Sequence, residues 1–168
     1  GLFIENGRII DNERTRIRTA IREIVDALRP TVILTPNQNL LFGDLSEEDA
    51  KNLEKILNAY HIRKVEDLTY ARRHAMACVA LPTCGLALTE SERVMPDVIR
   101  EFEAEFERLG VDDTPLTLRM TGCPNGCSRP YSADIGFVGH KPGHYDVFLG
   151  GRLEGDRLAD LYDVNVPM

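Results

Sequence analysis

The sequence predicts an α+β fold, with mixed or antiparallel sheets and flanking helices, and three observations lead to this class. Apolar residues recur at helical spacing over residues 17–28 and again over residues 90–109. A pair of short apolar runs bounds a Pro-Asn-Gln turn near residue 37. Two further strand candidates, residues 135–138 and 145–149, flank a loop rich in Gly and Pro. Helices and paired strands in one chain are typical of α+β proteins.

Composition and charge narrow the class of protein. A chain of 168 residues, 43% hydrophobic and 28% charged, suits one domain or two small ones. The formal net charge of -7 argues against a nucleic-acid or anionic-membrane surface, because either would require clustered Lys and Arg. The sequence shows neither a secretory leader pattern nor an apolar run long enough to cross a membrane. We therefore expect a cytoplasmic protein with no nucleic-acid or membrane partner.

The first element predicted is a hairpin. Residues 2–4 and 8–10 are short apolar runs on either side of Glu5, Asn6 and Gly7. Asn-Gly is the dipeptide that type I′ hairpin turns favour. Pairing of these two runs is the expected result.

The periodic segment 17–28 predicts an amphipathic helix that ends before Pro30. Its apolar face carries Ile17, Ile21, Ile24, Val25 and Leu28. Four arginines on or near the polar face are interpreted as solvated rather than as a docking patch: Arg14, Arg16, Arg18 and Arg22.

Residues 31–35 and 39–42 predict two strands, and the following segment predicts a second helix. Ser46 and Asp49 form a capping-box pattern just before that helix begins. Three consecutive amides lie between the strands, where they either complete the turn or contact a ligand: Asn37, Gln38 and Asn39.

The middle of the chain combines irregular backbone with one clear helix. Residues 71–88 fit neither a helix nor a strand and suggest irregular backbone that carries ligands. Residues 90–109 predict a helix, with Pro96 near its start and Gly110 at its end. Residues 116–120 then predict a strand, and residues 157–162 a short helix.

The four cysteines form two closely spaced pairs. The pattern is C-x(5)-C, a gap of 38 residues and C-x(3)-C: Cys78, Cys84, Cys123 and Cys127. Because the chain shows no secretory signal, metal ligands or reduced thiols are favoured over a disulfide framework. If Cys123 caps a helix that begins at Pro124, Cys127 lies one turn later and both sulfurs face one site. The spacing leaves three possibilities open: an iron-sulfur cluster, zinc, and no metal.

The segments around these cysteines identify a family resemblance. MACVALPTCGLA (residues 76–87) and RMTGCPNGCSRP (residues 119–130) strongly resemble the siroheme-dependent sulfite and nitrite reductase family, in its hemoprotein (beta) component. The 38-residue gap matches the family, as do residues 37–40 and 148–151. The resemblance thus covers nearly the whole chain.

The resemblance implies a domain organisation. A ferredoxin-like, parachute-type subdomain is expected over residues 1–65, followed over residues 66–168 by a domain that binds a 4Fe-4S cluster and siroheme. The chain resembles only the C-terminal half of the family protein, shortened at its end. The residues of the family that bind sulfite are arginines and lysines in the other half, so this chain alone is expected to be inactive. Either cofactor could be absent from the isolated chain.

The resemblance also implies site residues. All four cysteines would ligate the 4Fe-4S cluster, and Cys127 would also be the axial thiolate that bridges to the siroheme iron. Asn125 would lie beside the macrocycle, and Arg129 would pair with a siroheme carboxylate. Gln38 and Asn39 would match the family's amide segment near the cofactor carboxylates.

The implied activity is the six-electron reduction of sulfite to sulfide. Residues 81–85, LPTCG, resemble sulfite reductases more than nitrite reductases, and nitrite reduction to ammonia is the alternative within the family. A zinc-stapled structural domain and a self-contained iron-sulfur electron carrier are alternatives of other classes. Expected partners are sulfite, the missing N-terminal half, and an electron donor such as ferredoxin or an NADPH-dependent flavoprotein.

Overall fold

The computed structural model describes residues 1–111 and 114–168 and divides the chain into two compact units, Gly1–Leu68 and Thr69–Met168. Each unit contains helices and a sheet, and the second sheet is mixed. The predicted α+β class is therefore confirmed. Within the described part of the chain, no helix is both long and apolar enough to cross a membrane.

The first unit packs two helices with a two-stranded antiparallel sheet. Its elements are a 3-10 turn at Glu5–Gly7, α1 at Ile17–Leu28, β1 at Thr31–Leu34, β2 at Leu40–Gly43, α2 at Glu47–Ala59 and a 3-10 turn at Val65–Asp67. The strands pair as predicted, with Leu34 opposite Leu40. Of the predicted apolar face of α1, Ile24 is buried and Ile17, Ile21 and Leu28 pack against the core, but Val25 is 38% exposed. The four arginines of its polar side are exposed, also as predicted.

The caps of both helices follow from their sequences. After α1, Arg29 adopts a left-handed conformation (φ 47°) and donates its N–H to the Val25 carbonyl. Before α2, the Ser46 hydroxyl accepts the Asp49 N–H at 3.1 Å, and the Asp49 carboxylate accepts the Ser46 N–H. This capping box satisfies two helix-end donors and was predicted correctly.

The predicted N-terminal hairpin is wrong, although its turn forms. Asn6 and Gly7 both have the positive φ that a type I′ turn requires, 51° and 71°. The flanking runs do not pair with each other, because Leu2 instead exchanges backbone hydrogen bonds with Leu40, at 2.8 and 3.0 Å. Pairing with Leu40 buries Leu2 and Ile4 in the core of this unit, which a free-standing hairpin could not do.

The second unit is built on a five-stranded sheet. Its elements are α3 at Tyr70–His74, β3 at Met76–Ala77, α4 at Met95–Leu109, β4 at Leu118–Thr121, a 3-10 turn at Pro130–Ser132, β5 at Ile135–Lys141, β6 at His144–Leu149 and β7 at Asp160–Pro167. The strand order is β3-β4-β5-β6-β7. β3, β4 and β5 run parallel, and β6 and β7 continue the sheet antiparallel. Leu118 and Met120 lie in one hydrophobic core with Val98 and Ile99 of α4.

Two predicted boundaries in this unit are corrected by tertiary contacts. The helix predicted over residues 90–109 begins only at Met95. Just before it, the Glu92 N–H donates to the Cys78 carbonyl at 3.1 Å, so this backbone is hydrogen-bonded to the first cysteine loop and not within the helix. The short helix predicted over residues 157–162 is wrong, since Asp160–Pro167 is a strand that pairs with β6. Residues 71–88 are mainly irregular as predicted, apart from α3 and the two-residue β3.

Candidate cysteine site

Two adjacent strand ends bring the two cysteine pairs together. β3 and β4 are parallel neighbours with Ala77 opposite Met120, so Cys78 leaves β3 at the same edge where Gly122 leaves β4. The Cys78 N–H donates to the Met120 carbonyl at 3.2 Å, and the Gly122 N–H donates to the Cys78 sulfur at 3.2 Å. Carboxyl ends of parallel strands are a common place for binding sites, because the following loops meet there.

Gly122 is the contact point between the two loops. Its carbonyl accepts the N–H groups of Leu88 and Thr89 at 2.8 and 3.2 Å. A Cβ atom at Gly122 would lie 2.6 Å from the Ala80 Cβ and 2.7 Å from the Thr89 oxygen. The loop that carries Cys84 therefore packs directly on the backbone that precedes Cys123, and only glycine leaves room for it.

The helix predicted to start at Pro124 is wrong. Gly126 has φ +69°, and residues 123–129 form successive turns in which the Arg129 N–H donates to the Gly126 carbonyl at 2.8 Å. Cys123 is buried at 6% exposure, whereas Cys127 is exposed. The two sulfurs consequently do not share a helix face, and the loop presents Cys127 outward. The Ser128 hydroxyl fixes the loop to β4 by donating to the Met120 carbonyl at 2.5 Å.

All four cysteines of the chain lie on or beside these two loops. None of them is in a disulfide; Cys78 and Cys84 are half-buried, Cys123 is buried and Cys127 is exposed. Among residues 1–111 and 114–168, no three His, Cys, Asp or Glu side chains are grouped closely enough to hold a single metal ion. Four cysteines on two packed loops are the ligand type and number that a 4Fe-4S cluster takes.

Arg119 is a site residue that the sequence reasoning missed. It is fully buried on β4, where all four residues are buried. Its guanidinium lies 3.5 Å from the Ser132 hydroxyl. Burial, with a smaller contribution from the charge of Arg129, lowers the pKa of Arg119 to about 10. β4 has parallel neighbours on both sides, and strands in parallel sheets are usually buried on both faces.

Two further residues of the second cysteine loop that the sequence singled out are exposed. Asn125 and Arg129 both lie at the surface on the turns around Cys127. One guanidinium nitrogen of Arg129 lies 3.7 Å from the Met76 sulfur, which brings Arg129 over β3. The structure thus places Asn125, Cys127 and Arg129 on one loop.

His74 lies close to these arginines. Its ring stacks on Tyr70 with 4.2 Å between centroids, and its Nδ1 atom is buried without a hydrogen-bond partner in the described structure. Burial first, and then the charges of Arg73 and Arg119, lower the pKa of His74 below its usual value. The imidazole is therefore neutral at pH 7.

Gln38 and Asn39 lie in the first unit, where both help to build the β1–β2 turn. The Asn39 side-chain oxygen accepts the Ile4 N–H at 2.9 Å, and the backbone N–H of Asn39 donates to the Thr35 hydroxyl at 3.0 Å. Gln38 adopts a positive φ of 63° in this turn. Of the two alternatives given for these amides, completion of the turn is therefore observed.

Comparison with known proteins agrees with this arrangement. Residues 1–60 match the model of the nitrite/sulfite reductase ferredoxin-like half domain. Over 165 residues the chain is 46% identical to the sulfite reductase [NADPH] hemoprotein beta-component of Afipia carboxidovorans and 44% identical to that of Staphylococcus carnosus. The alignments cover 98% of this chain but only 28% and 29% of those relatives.

A solved structure shows the same fold. The NirA protein of Mycobacterium tuberculosis matches with a TM-score of 0.69 and 27% sequence identity, over 88% of this chain and 29% of that one. The family model, the relatives and this structure agree with one another. The chain therefore belongs to the sulfite reductase hemoprotein beta-component family, as a partial chain that spans less than a third of the length of these relatives.

Proposed function

We propose that this chain is the part of a siroheme-dependent sulfite reductase that holds the 4Fe-4S cluster. We assign four cysteines as the ligands of this cluster: Cys78, Cys84, Cys123 and Cys127. One observation carries the proposal: the two loops that carry the cysteine pairs leave adjacent strand ends and pack against each other at Gly122. The hydrogen bond from the Gly122 N–H to the Cys78 sulfur supports the proposal, because it fixes this sulfur at the contact between the two loops.

Cys127 is assigned as the bridging axial thiolate to siroheme. Cys127 is the only exposed residue among the four cysteines, whereas Cys123 is buried. A cofactor bound at the surface could therefore contact Cys127. Asn125 and Arg129 are exposed on the same loop, which suits contact with a macrocycle and its carboxylates. When bound, the two cofactors supply electrons one at a time for the six-electron reduction of sulfite to sulfide.

The residues of the chain itself contribute orientation and electrostatics. The packing on Gly122 fixes the loop geometry, and the buried cation of Arg119 provides positive charge close to Arg129. We assign Gln38 and Asn39 to the cofactor environment only because they match the family's amide segment. We also assign residues 1–65 to the ferredoxin-like domain and residues 66–168 to the cofactor-binding domain.

Other parts of the enzyme are needed for turnover. The curated relatives are several times longer than this chain, so we propose that their remaining residues supply the arginines and lysines that bind sulfite. The names of the relatives specify NADPH, which favours an NADPH-dependent flavoprotein over ferredoxin as the electron donor.

The proposal is tested by anaerobic reconstitution of the chain with iron and sulfide, followed by metal analysis and absorption and EPR spectroscopy. We expect four irons and four sulfides per chain. Substitution of each cysteine by Ser should reduce the iron bound. Colourless protein with one zinc per chain would overturn the assignment in favour of a zinc domain.

The bridging function of Cys127 needs its own test in the enzyme that contains siroheme. Cys127→Ser should abolish the magnetic coupling between cluster and heme, which EPR or Mössbauer spectroscopy detects. Cys84→Ser, which removes a ligand not assigned to the bridge, is the control, and coupling is compared per cluster retained: it should persist in Cys84→Ser and be lost in Cys127→Ser. Coupling that persists in Cys127→Ser would show that another residue forms the bridge.

A further inference from the structure

A buried tyrosine on β6 contacts the segment that directly follows the first cysteine loop. Tyr145 lies on β6 and is only 1% exposed. Its hydroxyl donates to the Glu90 carbonyl at 2.8 Å and accepts a hydrogen bond from the Thr89 hydroxyl at 3.3 Å. Burial raises the pKa of Tyr145, so the phenol keeps its proton and remains a donor.

Thr89 links this tyrosine to both cysteine loops. Its hydroxyl accepts the Gly143 N–H at 3.0 Å, which attaches it to the β5–β6 turn. Its backbone N–H donates to the Gly122 carbonyl at 3.2 Å, and its carbonyl accepts the Leu81 N–H at 3.4 Å. Thr89 is itself only 2% exposed. One residue thus connects the C-x(5)-C loop, the backbone before Cys123 and the β5–β6 turn.

The hydrogen bonds of this network are complementary. The Thr89 hydroxyl uses its proton toward Tyr145 and a lone pair toward Gly143, while Tyr145 uses its proton toward the Glu90 carbonyl. Buried networks in which every polar group is satisfied fix a single conformation, and removal of one member leaves the others unsatisfied. The network lies just after residues 78–88, whose own structure is mainly irregular and therefore depends on such attachments.

We infer that Thr89 and Tyr145 are positioning residues that hold the loop of Cys78 and Cys84 against Gly122, so that these two thiols are preorganised relative to Cys123. The inference rests on the proposed function as far as the cluster is concerned. Its structural content, that the hydroxyl groups of the network restrain the first cysteine pair more than the second, can be measured without any cofactor.

The first test measures the alkylation rate of each cysteine in the reduced, cofactor-free chain by mass spectrometry. Tyr145→Phe removes only the hydroxyl, and we expect Cys78 and Cys84 to react about five- to tenfold faster. The rates of Cys123 and Cys127 should change by less than about twofold. Tyr162→Phe is the matched control, because Tyr162 lies on the neighbouring strand β7 and is 73% exposed.

Substitutions at Thr89 separate positioning from a general loss of stability. Thr89→Val keeps the shape but removes the hydroxyl and should accelerate Cys78 and Cys84 as Tyr145→Phe does, whereas Thr89→Ser keeps the hydroxyl and should retain wild-type rates. Equal acceleration of all four cysteines would show general destabilisation and overturn the inference. Wild-type rates in both Tyr145→Phe and Thr89→Val would overturn it as well.

A second measurement relates the network to the cluster. In the reconstituted chain, Tyr145→Phe should lose its cluster absorbance in air severalfold faster than the wild type, while Thr89→Ser should match the wild type. If the wild-type chain binds no cluster, the proposed function fails but the alkylation rates still decide the inference. If the cluster forms and the Tyr145→Phe alkylation rates are unchanged, the inference fails and the proposed function stands.

Discussion

Gly139 on β5 approaches Gly122 as closely as backbone atoms allow. A Cβ atom at Gly139 would lie 2.3 Å from the Gly122 oxygen and 2.4 Å from its carbonyl carbon. Neither neighbour is the end of a flexible side chain, so the backbone itself would have to move. A pair of glycines in contact thus sets the distance between the sheet and the backbone that leads to Cys123.

We predict that Gly139→Ala destabilises the chain by about 1–3 kcal/mol. The cause is overpacking against the Gly122 backbone, and chemical denaturation of the cofactor-free chain measures it. Gly85→Ala is the control in the first cysteine loop, because no atom lies within 4 Å of the position of its Cβ. Equal stability of the two variants would contradict the packing argument.

His74 provides a prediction of pH dependence. Its pKa is lowered in the folded chain, so the unfolded chain binds more protons at pH values below 6.5. The contribution of a neutral His74 to stability is therefore complete above pH 6.5 and is lost as the pH falls below it. His74→Gln should remove this part of the stability change between pH 7 and 5, and NMR should show an imidazole titrating below pH 6.5.

At the scale of elements, α3 is fixed to α4 by an ion pair. The Arg72 Nε donates to a Glu103 carboxylate oxygen at 2.9 Å, and the Thr69 hydroxyl that caps α3 also donates to Glu103. The side chains of Arg72 and Glu103 are 10% and 21% exposed. Because α3 leads directly into β3, this pair also supports the strand that ends at Cys78.

Removal of Glu103 should therefore be costly. We predict that Glu103→Ala lowers the free energy of unfolding by about 3 kcal/mol, since it leaves the charge of Arg72 buried with fewer acceptors. Glu105→Ala on the same helix is the comparison, because its pair with Arg108 is more than half exposed and should contribute little to stability. Denaturant titrations that gave similar losses for both variants would refute the importance of burial.

At the scale of the whole molecule, the chain is acidic and spans only a small part of its relatives. It carries a net charge of -7 and spans 28% and 29% of two relatives that have the sulfite reductase name. An acidic chain does not attract sulfite by its overall field. The substrate site is thus proposed to require the rest of the enzyme.

We predict that the 168-residue chain, even with its cluster reconstituted, produces no sulfide from sulfite with reduced methyl viologen as donor. The physical reason is that the arginines and lysines proposed to bind and polarise the anion belong to the rest of the enzyme. The longer family enzyme, assayed in parallel, is the positive control. Sulfide formation above the cofactor-free background by the short chain would contradict this prediction.

The sequence by itself determined the features that depend on local chemistry and on motif spacing. The capping box at Ser46, the end of α4 at Gly110 and the β5–β6 hairpin follow from residues close together in the chain. The two cysteine motifs and their 38-residue gap were sufficient to identify the family.

Only the tertiary structure decided which segments pair and which side chains are buried. Leu2 pairs with Leu40 and residues 160–167 with β6, because strand formation depends on a distant partner rather than on local preference. Arg119 is buried because its strand has neighbours on both edges and is covered on both faces. The turns after Cys123 replace the expected helix because Gly126 adopts a positive φ there, and the exposure of Cys127 follows from that backbone rather than from the spacing of the cysteines.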